Sequence, residues 1–295
     1  ALHQPDPEAD QSGPDVAGPS VFRCVVLTDA FLTTYAPDRF QAAHSCFSAL
    51  PDALHEDAAG AASYGTLLLH AVPEFHLMDV AALPERMRAS AVEVTLYAET
   101  LADRFPASDV VFILLGAVYN AKGETDLAIR ALRQAADLNP ANPTAYGVLA
   151  YAYLAADRMD EARDAALSAV SMSVDPAPYI YLPILIAGLV QENARLVDMA
   201  RKAYTVQESL SRDVLLLAAA AMIGDKAEVE RLLQSVGQPD DPLAQIRAYV
   251  QGEVALSVIE RHLEAVGVDV PDPVSDPACL SSASGTVSRG LTCLP

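Results

Sequence analysis

The chain has 295 residues, a net charge of −20 and 52% hydrophobic residues, with no Trp and 14 Gly. That charge speaks against nucleic acid as a partner, because the phosphate backbone would be repelled, and against direct docking on anionic lipid. Sparse Gly and abundant Ala and Leu suit close-packed helices rather than a β-sandwich.

Residues 1–19 are rich in Pro, Asp and Gly and read as a disordered linker. No initiator Met precedes them, so Ala1 reads as a processed terminus or a cut beyond which a targeting segment or anchor could lie. Ser20 can cap a helix over 21–35, and Pro37 opens a second after a short turn. Cys24 lies near the start of the first helix and Cys46 on the inner face of the second. Antiparallel packing brings the two thiols into one neighbourhood, about a turn out of register. A small-residue helix is expected over 52–72, an insertion over 73–83, and a helix opened by Pro84 that runs to Phe105. Pro106 ends it.

Residues 109–176 read twice through one pattern. A shift of 34 superposes Leu115 on Leu149, Tyr119 on Tyr153, Ala128 on Ala162, Ala131 on Ala165 and Ala135 on Ala169. In the first unit Phe112, Leu115, Gly116 and Tyr119 share one helical face. Gly123 can take a left-handed turn, and Thr125 is placed to cap the next helix. Ala128, Leu132 and Ala135 then face the first helix. In the second unit Asp157 stands for the turn glycine, Ala166 for Leu132, and the closing proline comes late, at Pro176. Units 109–142 and 143–176 resemble a tandem pair of tetratricopeptide repeats. Ala30, Ala42, Cys46 and Ala49 share the mutual spacings of Gly116, Ala128, Leu132 and Ala135, as in a degenerate copy.

The pattern decays after Pro176 while helices continue over 178–191, 193–210, 213–223, 227–236, 242–251 and 253–266. A single repeat cannot bury its apolar face, so hairpins must stack on both sides of the pair. The expectation is an all-α, right-handed superhelical solenoid over 20–266. An irregular tail over 267–295 follows, in which a Cys279–Cys293 disulfide would act as a staple. Cys24, Cys46, Cys279 and Cys293 admit three pairings. Cysteines in such a tail suit an oxidising space, so a periplasmic or other extracytoplasmic location is expected, with the cytoplasm as the alternative.

Chemical motifs are lacking. His55–Glu56 begins like a zinc-protease motif, but Ala59 stands where the second His is needed. His70, Glu74 and His76 are close in sequence, where a helix end and a loop are the default reading. No phosphate loop and no serine-hydrolase elbow occur. The longest apolar run, 179–190, is too short to span a bilayer and contains Pro183. The expectation is therefore a non-enzyme without cofactor or metal. The repeat resemblance implies a concave groove lined by Val110, Ile113, Ala117 and Asn120 of the first unit and Thr144, Gly147, Tyr151 and Leu154 of the second. Ile113 and Ala117 stand where the family's chaperone-tail binders carry basic and amide side chains, so an apolar helix or extended peptide is the expected ligand. The whole-chain plan also resembles the C-terminal region of bacterial membrane-tethered regulators and some nucleotide cyclases. That resemblance implies an extracytoplasmic sensory or regulatory domain as the alternative.

Overall fold

The computed structural model describes residues 20–270, apart from 51, 53, 55, 76, 79, 206–209, 238–240, 244, 245, 249, 251 and 252. Thirteen α-helices and no strand occur among the described residues. They are α1 (Val21–Thr34), α2 (Pro37–Ser48), α3 (Ala58–His70), α4 (Ala91–Arg104), α5 (Asp109–Ala121), α6 (Thr125–Leu138) and α7 (Pro143–Ala155). They continue as α8 (Met159–Met172), α9 (Tyr181–Val190), α10 (Ala194–Ala203), α11 (Leu210–Ile223), α12 (Lys226–Val236) and α13 (Glu253–Glu264). The odd-numbered helices form one row, each packed on the next. Each even-numbered helix from α2 to α12 packs on the helix before it, and α2 to α10 also on the odd-numbered helix after it. This is the expected all-α superhelical solenoid: six hairpins, closed at one end by α13, which lies on α9 and α11.

The helix-to-helix turns repeat one device. Gly123, Asp157, Glu192 and Gly224 all take positive φ, from 52° to 75°. In each turn the following N–H donates five residues back: Glu124 to Tyr119, Arg158 to Tyr153, Asn193 to Gly188 and Asp225 to Ala220, at 2.8–3.0 Å. This pairing satisfies a late carbonyl of α5, α7, α9 and α11. Close packing follows. A Cβ on Gly116 would overlap the Leu132 side chain, so glycine is needed where α6 presents leucine.

Several local expectations are corrected. No helix runs from Pro84. Residues Glu85–Met87 make a single 310 turn, and the chain is extended at Arg88. The Arg88 guanidinium donates to the carbonyls of Leu83 and Ala81, and Ala89 N–H donates to Ala71. α4 starts afresh behind Ser90, whose hydroxyl accepts from Glu93 N–H while the Glu93 carboxylate accepts from Ser90 N–H. α3 begins at Ala58, where Asp57 accepts from Gly60 N–H at 2.8 Å. Thr125 is not a cap: it is the first residue of α6, and no side chain caps that helix. The helix expected over 242–251 is a 310 turn at Ile246–Ala248.

Cys24 and Cys46 are in register after all. They form a disulfide with Cα atoms 5.4 Å apart, tying α1 to α2. Around it Phe31, Phe40, Ala43 and Phe47 are fully buried and make a core separate from the two that serve the rest of the solenoid. Cys279 and Cys293, the leader 1–19 and the tail beyond residue 270 lie outside the described residues.

Candidate binding groove

The middle of the odd-numbered row, from α3 to α9, carries little charge. α7 and α9 contain no charged residue, α5 has only Asp109, and α3, α5, α7 and α9 contain no Lys or Arg. Charge gathers on the even-numbered helices instead. There Arg158 pairs with Glu161, Arg163 with Asp160 and Asp164, and Arg201 with Asp198 and Asp225. Asp109 is held at the start of α5 by the side-chain amides of Asn139 and Asn142, each at 2.8 Å. Burial works to raise its pKa, but these donors outweigh it and keep the carboxyl below its ordinary value.

The eight sequence-predicted groove residues all lie on α5 and α7, with unequal access. Val110, Ile113 and Ala117 are partly buried, and Thr144 is exposed. Gly147 and Leu154 are buried. Gly147 lies under Ile180, which a Cβ there would meet at 3.4 Å. These two positions are floor rather than contact surface. Asn120 places its side-chain oxygen in a buried position without a hydrogen-bond partner among the described residues. Tyr151 is half-buried; its hydroxyl donates to the Tyr179 carbonyl at 2.9 Å, and the two rings are tilted with centroids 6.3 Å apart.

Three further ring-bearing residues lie outside the repeat pair. Tyr35 ends α1 in a left-handed conformation, φ 52°. Its ring meets Phe31 edge-on at 5.6 Å and His70, the last residue of α3, at 5.5 Å. Yet Tyr35 remains 40% exposed. Tyr179 precedes α9, and its pKa is pushed up to about 12, first by burial and then by the nearby Tyr35 phenol. His70 is nearly fully buried, and burial lowers its pKa.

Among the described residues no group of three His, Cys, Asp or Glu could hold a metal ion. No described helix is long and apolar enough to cross a membrane. Two open clefts lie away from the groove, one between α8 and α10 lined by Arg163, Leu167 and Met199, the other beside His44 and Arg86.

Residues 98–179 match the family model described as tetratricopeptide repeat. No curated protein matches the sequence. Among solved structures, Pseudomonas aeruginosa PilF is similar with a TM-score of 0.47 and 10% identity, covering 80% of this chain and 95% of that one. MamA of MSR-1 is similar with a TM-score of 0.38 and 17% identity, covering 70% of this chain and 95% of that one. Neither likeness bears on partner or activity.

Proposed function

From a chain that carries tetratricopeptide repeats at residues 98–179, a fold that serves as a protein–protein interaction scaffold, we infer a non-enzymatic module that binds a peptide segment along the face of α5 and α7. The observation that supports this reading is the near-absence of charge on α5, α7 and α9 in a chain of net charge −20. A soluble helix normally turns its charges to water, so a row that keeps almost none is suited to being covered. Val110, Ala117, Thr144 and Tyr151 would make the contacts, with Ile113 and Asn120 at their edge. Nucleic acid is disfavoured by the same charge.

The test is a random peptide library displayed on phage and enriched on the purified protein. Binding of an enriched peptide is then followed by fluorescence anisotropy. Thr144→Arg and Tyr151→Ala should each weaken it about tenfold, a loss of about 1.4 kcal/mol. Undiminished binding to both variants, with unchanged helicity, would place the site elsewhere.

The Cys24–Cys46 bond favours a second reading, an extracytoplasmic sensory or regulatory domain, because such bonds persist in oxidising compartments. Rapid alkylation of protein taken from its native source should leave both thiols unlabelled. Complete labelling of both without reductant would return the protein to the cytoplasm.

A further inference from the structure

One of the two open clefts, about 470 Å³ in volume, lies between the end of α2 and the single turn at Glu85–Met87. His44, Ser45, Ser48 and Ala49 line one side of it, Arg86 and Met87 the other. Both sides are held in place. α2 is tied to α1 by the Cys24–Cys46 bond, and Met87 is buried in the core around that bond. The His44 ring is stacked on Phe40 and tilted against Tyr64, with centroids 5.9 Å away in each case. Ser48 braces the same residue: its hydroxyl donates to the His44 carbonyl at 2.8 Å and lies 3.4 Å from Nδ1.

Arg86 and Ser45 are exposed, and among the described residues neither makes a hydrogen bond or an ion pair. Such an arginine stands out in a chain with 39 acidic and 19 basic residues, where Arg158, Arg163, Arg201 and Arg231 all meet carboxylates. Among the described residues no carboxylate lines the cleft. The Arg86 charge falls on His44 instead: burial first, and Arg86 second, lower the imidazole pKa. An anion between the two would satisfy both.

We infer that this cleft binds a phosphate monoester, its phosphate group held by Arg86, Ser45 and His44 and its carbon stem lying on Ala49 and Met87. A guanidinium, a hydroxyl and an imidazole can serve the three free oxygens of a phosphate ester, whereas a carboxylate offers them only two. The volume falls among clefts that take small organic ligands, about 300 Å³ and upward, and so leaves room for the stem. The net charge of −20 opposes anions at a distance, but charges beyond about 8 Å are largely screened at physiological ionic strength, and donors in contact are not. The site lies outside the α5–α7 face and stands or falls independently of the peptide-binding reading.

The experiment titrates the full chain, at constant physiological ionic strength, with N-acetyl-phosphoserine methyl amide, glycerol 3-phosphate, inorganic phosphate and N-acetyl-glutamate methyl amide. The His44 ring and Arg86 Nε–H signals are followed by NMR. An ester should shift both signals and bind about tenfold tighter than the glutamate probe, as expected for an extra charge-assisted hydrogen bond. Tighter binding of the phosphoserine probe would assign the cleft to a phosphorylated side chain, and tighter binding of glycerol 3-phosphate to a small ester. Arg86→Gln, at an exposed position, should weaken the better ester about tenfold, and Ser45→Ala about threefold. Equal binding of the glutamate probe, shifts that avoid His44 and Arg86, or undiminished binding to Arg86→Gln overturns the site. Inorganic phosphate that binds as tightly as either ester overturns the role given to Ala49 and Met87.

Discussion

The two central repeats share one backbone and solve its packing in opposite ways. In the first, α6 presents Leu132 and α5 answers with Gly116, where any side chain would collide. In the second, α8 presents Ala166 and α7 answers with Ala150, and both are fully buried. Their turns differ likewise. Gly123 takes the left-handed position without cost, while Asp157 takes it against the steric preference of a residue with a Cβ. What is kept is close contact between the paired helices and the path of the turn, not the residue at either place.

The largest effects should come from breaking that compensation. Gly116→Val should destabilise the protein by about 3 kcal/mol through overpacking, read by urea denaturation. In a double-mutant cycle, Gly116→Ala combined with Leu132→Ala copies the pair of the second unit. The two changes should couple favourably by about 1 kcal/mol or more, since the added methyl enters the space that leucine leaves. Simple additivity would mean that the two positions do not compensate.

Smaller effects sharpen the comparison of the turns. Asp157→Gly should stabilise by about 1 kcal/mol, and Gly123→Ala should destabilise by about as much. Denaturation midpoints that move together in one direction would show that the turns are not equivalent.

The smallest effect appears only in alkali. Tyr179 titrates near 12 in the folded protein, and an unfolded tyrosine near 10. Because the folded value is raised, this contribution is whole below about pH 10 and drains as pH climbs toward 12. Phenolate absorbance should show several late-titrating tyrosines, Tyr97 and Tyr119 among them, and Tyr179→Phe should remove one. The same change should flatten the loss of stability over that window.

The sequence revealed what is local and periodic. The 34-residue register, Gly116, Gly123 and the Ser20 cap were legible because each is set by neighbours a turn or two away. The break before α4 was also legible, in the Ser90 and Glu93 capping box, but the proline at 84 was the louder signal and misled. The left-handed turn at Asp157 was legible only through the register, which sets it where Gly123 stands, and the one at Glu192 was hidden because glutamate does not announce positive φ. The register places the eight candidate positions on α5 and α7, whereas the contacts of Tyr35 with His70 and of Tyr151 with Tyr179 join residues 28 or more apart, which no short window encodes.

The Cys24–Cys46 bond gives the solenoid a direction. A stacked array loses order from its ends, since a terminal hairpin has only one neighbour. Here one end is closed by a covalent loop between residues 22 apart in sequence, a constraint worth about 3 kcal/mol against unfolding. At the opposite end, among the described residues, α13 rests on α9 and α11. Amide exchange should thus advance from the α12–α13 side inward, and reduction should let it start from both sides. The ring of Tyr35 hangs from the anchored end, so its packing on Phe31 and His70 would be among the last to lose its shape.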